Sequence, residues 1–395
     1  MFKAQNRWTA RLTWRGLLIA AVVAVTGFFI FFWRLSSLTP GLSPGEIAAR
    51  QSGASLHDIT HNPINAPYKL LQLALTKLGS TSTFELRLAS VIFGIFFLWC
   101  FYKLAVNWFG RFIGLAGAIL FVTLPFFAVS VRQASAEIMY FVPIALMWLY
   151  VWLLKTPKRQ SLAWFLLLMA AAVSLYTPGM VWWIAASFAI SKKRITSATA
   201  QVPAWISAAG LLLVAAAAGS LAVAGAHTHT VAKQLLLIPS GTLTVITTLK
   251  NLGWMALSLF VKTGSHNPLI LGRSPVLDIL MLALLVFGVY AMQSAARVKA
   301  IALGLSILFA VAAAGINDNF ALLALGLPAV CVFTAAGLRY LYIEWRSIFP
   351  RNPVPKTFAL ALIAALTLSQ VYFGLRYALV AWPHSPATRT VYVLK

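Results

Sequence analysis

Apolar runs long enough to cross a bilayer recur along nearly the whole of this 395-residue chain, and most of its Lys and Arg lie at their ends or in the connections between them. A hydrocarbon core of about 30 Å takes about 20 apolar residues of helix. A chain built this way folds as an all-α polytopic membrane protein. Composition agrees: 61% of residues are hydrophobic and 10% charged, against about a quarter charged in soluble domains.

The first run extends from Leu17 to Trp33 behind Lys3, Arg7, Arg11 and Arg15. It is long for a signal peptide and no small-residue cleavage site follows, so it reads as an uncleaved first helix. Further spans are expected near 86–106, 112–130, 137–154, 161–177, 180–190, 204–224, 276–292, 299–315, 319–338 and 357–380. That makes about eleven transmembrane helices in a single transmembrane domain, 1–395. The segment 242–261 reads either as a span or as an interfacial helix.

The net charge is +24, from 31 Lys+Arg against 7 Asp+Glu. No nucleic-acid motif accompanies it, and lipid headgroups and topology account for the excess. With the N-terminus cytoplasmic, the connections bearing Lys155/Lys158/Arg159, Lys192/Lys193/Arg194, Arg297/Lys299 and Arg339/Arg346/Arg351/Lys356 all fall inside, as the positive-inside rule requires. The acids do the reverse: Glu46, Asp58, Glu85, Glu137, Asp278 and Asp318 map outside and only Glu344 inside. Two long external segments, about 34–85 and 226–275, lie on that outer face. They are the expected location of a site and of external juxtamembrane helices. Cys100 and Cys331 fall within spans and suit neither a disulfide framework nor a zinc site.

Motif order adds to this. P-G-L-S-P-G-E at 40–46 follows the first span, N-P-I-N-A-P-Y at 62–68 comes next, and F-E-L-R-L-A-S at 84–90 opens the second span. N-W-F-G-R-F at 107–112 reads as a short turn, and S-V-R-Q-A-S-A-E at 130–137 as an external acidic motif. N-L-G-W-M-A-L-S-L-F at 251–260 and N-P-L-I-L-G-R-S-P-V-L-D at 267–278 complete the set. In order and spacing the chain resembles the polyprenyl-phosphate-dependent glycosyltransferases of the GT-C fold. Their relatives include protein O-mannosyltransferases and lipid A aminoarabinose transferases.

The resemblance implies a monosaccharide carried on a polyprenyl phosphate, an acceptor hydroxyl attacking its anomeric carbon, and a carboxylate near the first external helix acting as base. It implies a cell-envelope enzyme of the bacterial cytoplasmic membrane with its active site on the outer face. Its partners are the lipid-linked sugar, membrane lipids, and an acceptor glycan, lipid or protein. The family pattern departs at one point: Gly45 stands where the family carries its catalytic Asp. A non-catalytic binder or transporter of lipid-linked sugar on the same scaffold is therefore the alternative.

The candidate residues carry paired readings. Glu46 is either the base or the N3 member of a capping box, since Ser43-Pro44-Gly45-Glu46 has the N-cap, N1 and N3 residues of one. Glu137 either binds sugar or acceptor or complements a helix N-terminus. Glu85 reads first as a second capping box with Ser82. Asp58 either substitutes for the missing acid, or forms a weak metal candidate with His57 and His61, or lies in an exposed polar loop. No cofactor is required, although a divalent metal is compatible with some relatives. Lys69, Arg87, Arg132 and Arg273 are candidate phosphate ligands, with headgroup anchoring as the alternative for Lys69, Arg87 and Arg273 and pairing with Glu137 as the alternative for Arg132. Asp278 and Asp318 read as helix N-terminal acids.

Overall fold

The computed structural model describes residues 14–79, 82–239, 244–263, 269–348 and 353–393. Lys3, Arg7, Arg11, Arg351 and the Asn267-Pro268 start of the 267–278 motif lie outside them. Every element among the described residues is helical: α1 (Trp14–Phe31), α2 (Pro44–Ser52), α3 (Leu56–His61), α4 (Ala66–Leu78), α5 (Thr83–Phe109), α6 (Arg111–Val122), α7 (Pro125–Ser130) and α8 (Pro143–Lys155) come first. Then follow α9 (Gln160–Ser174), α10 (Met180–Thr199), α11 (Ala204–His227), α12 (His229–Leu235), α13 (Val245–Phe260), α14 (Ile279–Asn317), α15 (Leu327–Ile348) and α16 (Pro353–Arg376). Short 3₁₀ turns at Ala136–Phe141 and Phe320–Leu325 lead into α8 and α15.

The chain is an integral membrane protein. Among the described residues six helices are long and apolar enough to cross: Thr83–Phe109, Ala136–Lys155, Ala204–His227, Ile279–Asn317, Leu327–Trp345 and Leu360–His384. The expected count of about eleven exceeds these six. Ala20–Phe31, Arg111–Val122 and Val245–Phe260 are apolar but shorter. Two expected boundaries shift. The helix expected at 180–190 continues through Lys192, Lys193 and Arg194 to Thr199, because Lys and Arg sustain helix as well as most apolar residues do. The spans expected at 276–292 and 299–315 are the two parts of α14, which leaves helical geometry at Ala296 (φ −154°, ψ 55°).

The basic connections gather at one end of the bundle. Gly110 breaks α5 from α6 with φ 90°, a conformation that Gly adopts without strain. Around this turn the Lys155 ammonium donates to the Asn107 carbonyl. Lys299 sits 4.7 Å above the Trp108 ring, and Arg339 Nη1 donates to the Trp108 carbonyl at 3.2 Å. The bend in α14 and the α8 and α15 ends therefore share one side with the 107–112 turn.

Inside a bilayer there is little hydrophobic drive between helices, so close packing holds them together. Phe121, Phe127 and Phe141 form a buried cluster with ring centroids 4.2–5.9 Å apart. Phe320, in the second 3₁₀ turn, reaches Phe126 on α7 at 5.8 Å. The tightest crossing joins α14 and α15. A Cβ on Gly288 would lie 1.8 Å from the Phe333 carbonyl oxygen, and one on Gly337 would lie 2.0 Å from that of Leu284. Glycine at both positions lets the backbones touch.

Candidate active site

The capping box expected at Ser43 closes. Glu46 N–H donates to Ser43 Oγ at 3.2 Å and Ser43 N–H to Glu46 Oε2 at 2.9 Å. The same carboxylate then meets Arg87, one turn into α5. Arg87 Nε donates to Glu46 Oε1 at 3.0 Å and Nη2 to Oε2 at 3.3 Å, while Ala134 N–H reaches Oε1 at 2.8 Å. Each oxygen of Glu46 thus receives two donors. Arg87 also donates through Nη1 to the Leu35 carbonyl (2.9 Å) and through Nη2 to Thr39 Oγ1 (2.8 Å) and the Gly41 carbonyl (3.2 Å). Both side chains are essentially solvent-free: Glu46 is 1% exposed and Arg87 2%. A buried pair recovers its desolvation cost only when its remaining hydrogen-bonding capacity is met, as here. The pair ties α2, the 35–41 turn, α5 and the 130–137 motif together.

Arg132 is committed through Nη1 and Nη2, while its Nε is buried without a partner. Nη1 donates to the carbonyls of Phe29 (3.2 Å) and Ile30 (2.6 Å), and Nη2 to that of Trp33 (2.6 Å). These include the carbonyls that a helix C-terminus leaves without partners, so Arg132 caps α1. Burial, and then the nearby Arg87, lowers its pKa from the ordinary arginine value. The guanidinium faces read from the sequence as phosphate ligands, Arg87 and Arg132, are turned to the protein's own oxygens.

Glu137 differs. Its backbone N–H donates to the Ser135 hydroxyl at 3.4 Å. Its carboxylate makes no hydrogen bond among the described residues, and Oε2 is shielded from solvent. The Tyr68 phenol on α4 lies within the electrostatic reach of both Glu137 and Glu46, and burial raises its pKa. Tyr68 Oη shares a 3.0 Å hydrogen bond with Ser90 Oγ, which donates on to the Gln133 carbonyl. Tyr392, near the C-terminus, feels Glu46, Arg87 and Glu137; burial raises its pKa as well. The motifs at 40–46, 62–68, 84–90 and 130–137 therefore converge on one cluster.

Lys69 follows Tyr68 on α4. Its Nζ donates to the Asn62 carbonyl at 2.8 Å. Burial lowers its pKa to about 8 against the opposing pull of Asp58. Asp58 accepts from the Ser55 hydroxyl at 2.7 Å, and its own N–H donates to Ser55 Oγ, the N-cap of α3. The His57 and His61 rings lie 4.3 Å apart on the exposed side of α3. No group of three metal-ligating side chains forms among the described residues, so His57, Asp58 and His61 are not brought together as a ligand set. Arg273 is exposed, its carbonyl accepting from Thr263 N–H at 3.2 Å. Asp278 caps α14 through Met281 N–H at 2.8 Å and accepts from Gln370 Nε2 at 2.7 Å. Asp318 is not an N-terminal acid: it closes the C-terminus of α14 in the left-handed region (φ 47°), and Asn319 caps the following turn.

Sequence reasoning passed over Gln72, Gln133 and Tyr392. The first lies one turn after Tyr68 in the amphipathic stretch 68–78, and the second lies within the 130–137 motif. Tyr392 carries no local signal.

The fold is that of the GT-C glycosyltransferases. ArnT from Cupriavidus metallidurans, a lipid A aminoarabinose transferase, superposes in its apo state with a TM-score of 0.57 at 12% identity, over 95% of this chain and 77% of that one. The same enzyme bound to undecaprenyl phosphate gives 0.57 at 12% identity over 96% and 77%. The archaeal oligosaccharyltransferase of Archaeoglobus fulgidus, tethered to an acceptor peptide, gives 0.54 at 13% identity over 98% of this chain and 56% of its own. No protein-family model matches the chain, and no curated protein matches it by sequence.

Proposed function

We propose that the protein is a membrane glycosyltransferase. It moves a monosaccharide from a polyprenyl phosphate to an acceptor hydroxyl. One observation carries this reading: Glu137 offers an unengaged carboxylate beside Tyr68 and within the motifs that surround a buried strut. Glu137 takes the acceptor hydroxyl's proton as its oxygen attacks the anomeric carbon. The bond from that carbon to the phosphate oxygen breaks, and polyprenyl phosphate leaves. Lys69 meets the phosphate charge, and Asp58 favours the lysine's cationic form.

Glu46 and Arg87 act as a positioning pair that holds α2 and the 130–137 motif in register, rather than as base and phosphate ligand. Arg132 anchors α1 to the same motif. Arg273, exposed on the loop before α14, is available to lipid headgroups. The N-terminus lies in the cytoplasm of a bacterial cell and the site on the outer face. The cationic cluster around the 107–112 turn, at the end read as cytoplasmic from its charges, supports this orientation.

A binder of lipid-linked sugar is the second reading. It is favoured by Gly45, which leaves the exposed first turn of α2 without the acid found in the family. A Cβ there meets only Ser43 Oγ at 3.9 Å, so Gly45→Asp is accommodated. Purified protein incubated with a panel of polyprenyl-phosphate sugars and acceptor alcohols should release polyprenyl phosphate, and Glu137→Gln should stop it. Release by Gly45→Asp alone would favour the binder for the native chain.

A further inference from the structure

Helix α4 is amphipathic in an unusual sense. Of its five buried residues, three are polar: Tyr68, Lys69 and Gln72, alongside Ala66 and Leu73. Its exposed face carries Leu70 and Leu78, 47% and 87% exposed. A helix that only covered a core would do the opposite. Tyr68 spends its phenol on Ser90 and Lys69 its ammonium on the Asn62 carbonyl. Gln72 spends nothing. It is 2% exposed, and neither Nε2 nor Oε1 has a partner. Buried amides without hydrogen bonds are rare and costly.

The surroundings repeat the pattern. Gln133 Nε2 and Glu137 Oε2 are also buried without partners. They belong to the segment whose Gln133 carbonyl is bonded through Ser90 to Tyr68, one turn before Gln72 on the same face. Gln72 thus shares a face of α4 with Tyr68, and the Tyr68 phenol is tied through Ser90 to the segment that carries Gln133 and Glu137.

We propose that Gln72 recognises the hydroxyls of the donor's monosaccharide. The inference rests on the transferase reading and specifies its sugar contact. A carboxamide offers two donors and one acceptor in a plane, matching hydroxyls that both give and take hydrogen bonds. Lys69 and Gln72 are three residues apart, so their Cβ atoms are about 5–6 Å apart. With Lys69 on the phosphate, Gln72 faces the ring.

The test uses full-length protein in nanodiscs and the apolar variant Gln72→Leu. Thermal melting is followed without ligand, with undecaprenyl phosphate, and with undecaprenyl-phosphate hexoses, pentoses and N-acetylhexosamines. Without ligand the variant should melt no lower than the parent, since an apolar group replaces an unpaired amide. The parent should bind at least one sugar-bearing lipid more tightly than the bare lipid. Gln72→Leu should lose that increment, about tenfold in affinity for one hydrogen-bonding group, and keep its affinity for the bare lipid. Two results overturn the proposal: a ligand-free Gln72→Leu that melts several degrees lower, meaning the amide has a structural partner, or a sugar increment that survives the substitution. A parent that binds the bare lipid with no gain from any sugar also refutes it while sparing the transferase reading. A parent that binds neither lipid form ends both.

Discussion

Replacing Glu46 with Gln separates a strut from a base. Oε1 receives Arg87 Nε and Ala134 N–H, and Oε2 receives Arg87 Nη2 and Ser43 N–H. Whichever oxygen becomes an NH₂ group, it faces two donors. The substitution therefore leaves two hydrogen bonds unmade, one of them charge-assisted, and strips a 2%-exposed guanidinium of its counter-charge. Removing one partner of a buried pair costs about 3–5 kcal/mol. Two lost bonds at about 1–3 kcal/mol each point to the same range. The 14 tryptophans make intrinsic fluorescence in detergent a suitable probe of melting. Glu46→Gln should melt many degrees lower, with activity lost in step with folded protein. Arg87→Met should be comparably damaging, and a double-mutant cycle should give a coupling of about 2–3 kcal/mol. A Glu46→Gln protein that melts like the parent but has no turnover would refute the reasoning, because Glu46 would then be acting in the chemistry.

The contrast is Glu137→Gln, which removes a carboxylate with no partner to lose. It should leave melting within about 1 kcal/mol of the parent and lower kcat by about 10²–10⁴-fold. Lys69 supplies a pH test: with its pKa near 8, affinity for undecaprenyl phosphate should fall as pH rises through 8, whereas Lys69→Arg should hold its affinity to higher pH. For the ligand-free fold the sign reverses. The native state binds fewer protons than the unfolded chain between about 8 and the ordinary lysine value, so Lys69's contribution to stability increases across that window; alkaline melts of the parent and Lys69→Gln should differ accordingly. Gly288→Ala or Gly337→Ala must part the α14–α15 backbones, at a cost of about 1–3 kcal/mol or more, read as lower melting and poorer yield of folded protein.

Legibility in the sequence followed the range of the forces. The capping boxes at Ser43–Glu46 and Ser82–Glu85 span three residues and were both readable. The two-part α14 was readable because Arg297 and Lys299 interrupt an apolar run. Arg87's pairing with Glu46, 41 positions away, was not, nor was Arg132's capping of α1 across about a hundred residues. Pairings set by helix packing leave no periodic trace in a single chain. Asp318 misled for a local reason: Asp is favoured both at helix N-caps and, after Gly and Asn, in the left-handed region. The end of α10 misled because Lys192, Lys193 and Arg194 have the charge of a cytoplasmic loop and the propensity of a helix, and the chain follows the propensity.

The proposed transfer of a sugar from a polyprenyl phosphate turns on the Glu137 carboxylate. Radiolabelled polyprenyl-phosphate sugars presented to the purified protein in nanodiscs test it most directly. With Glu137 as the base, the parent should show acceptor-dependent release of polyprenyl phosphate, and Glu137→Gln should bind donor undiminished without releasing it. Release that continues at the parental rate in Glu137→Gln would contradict it.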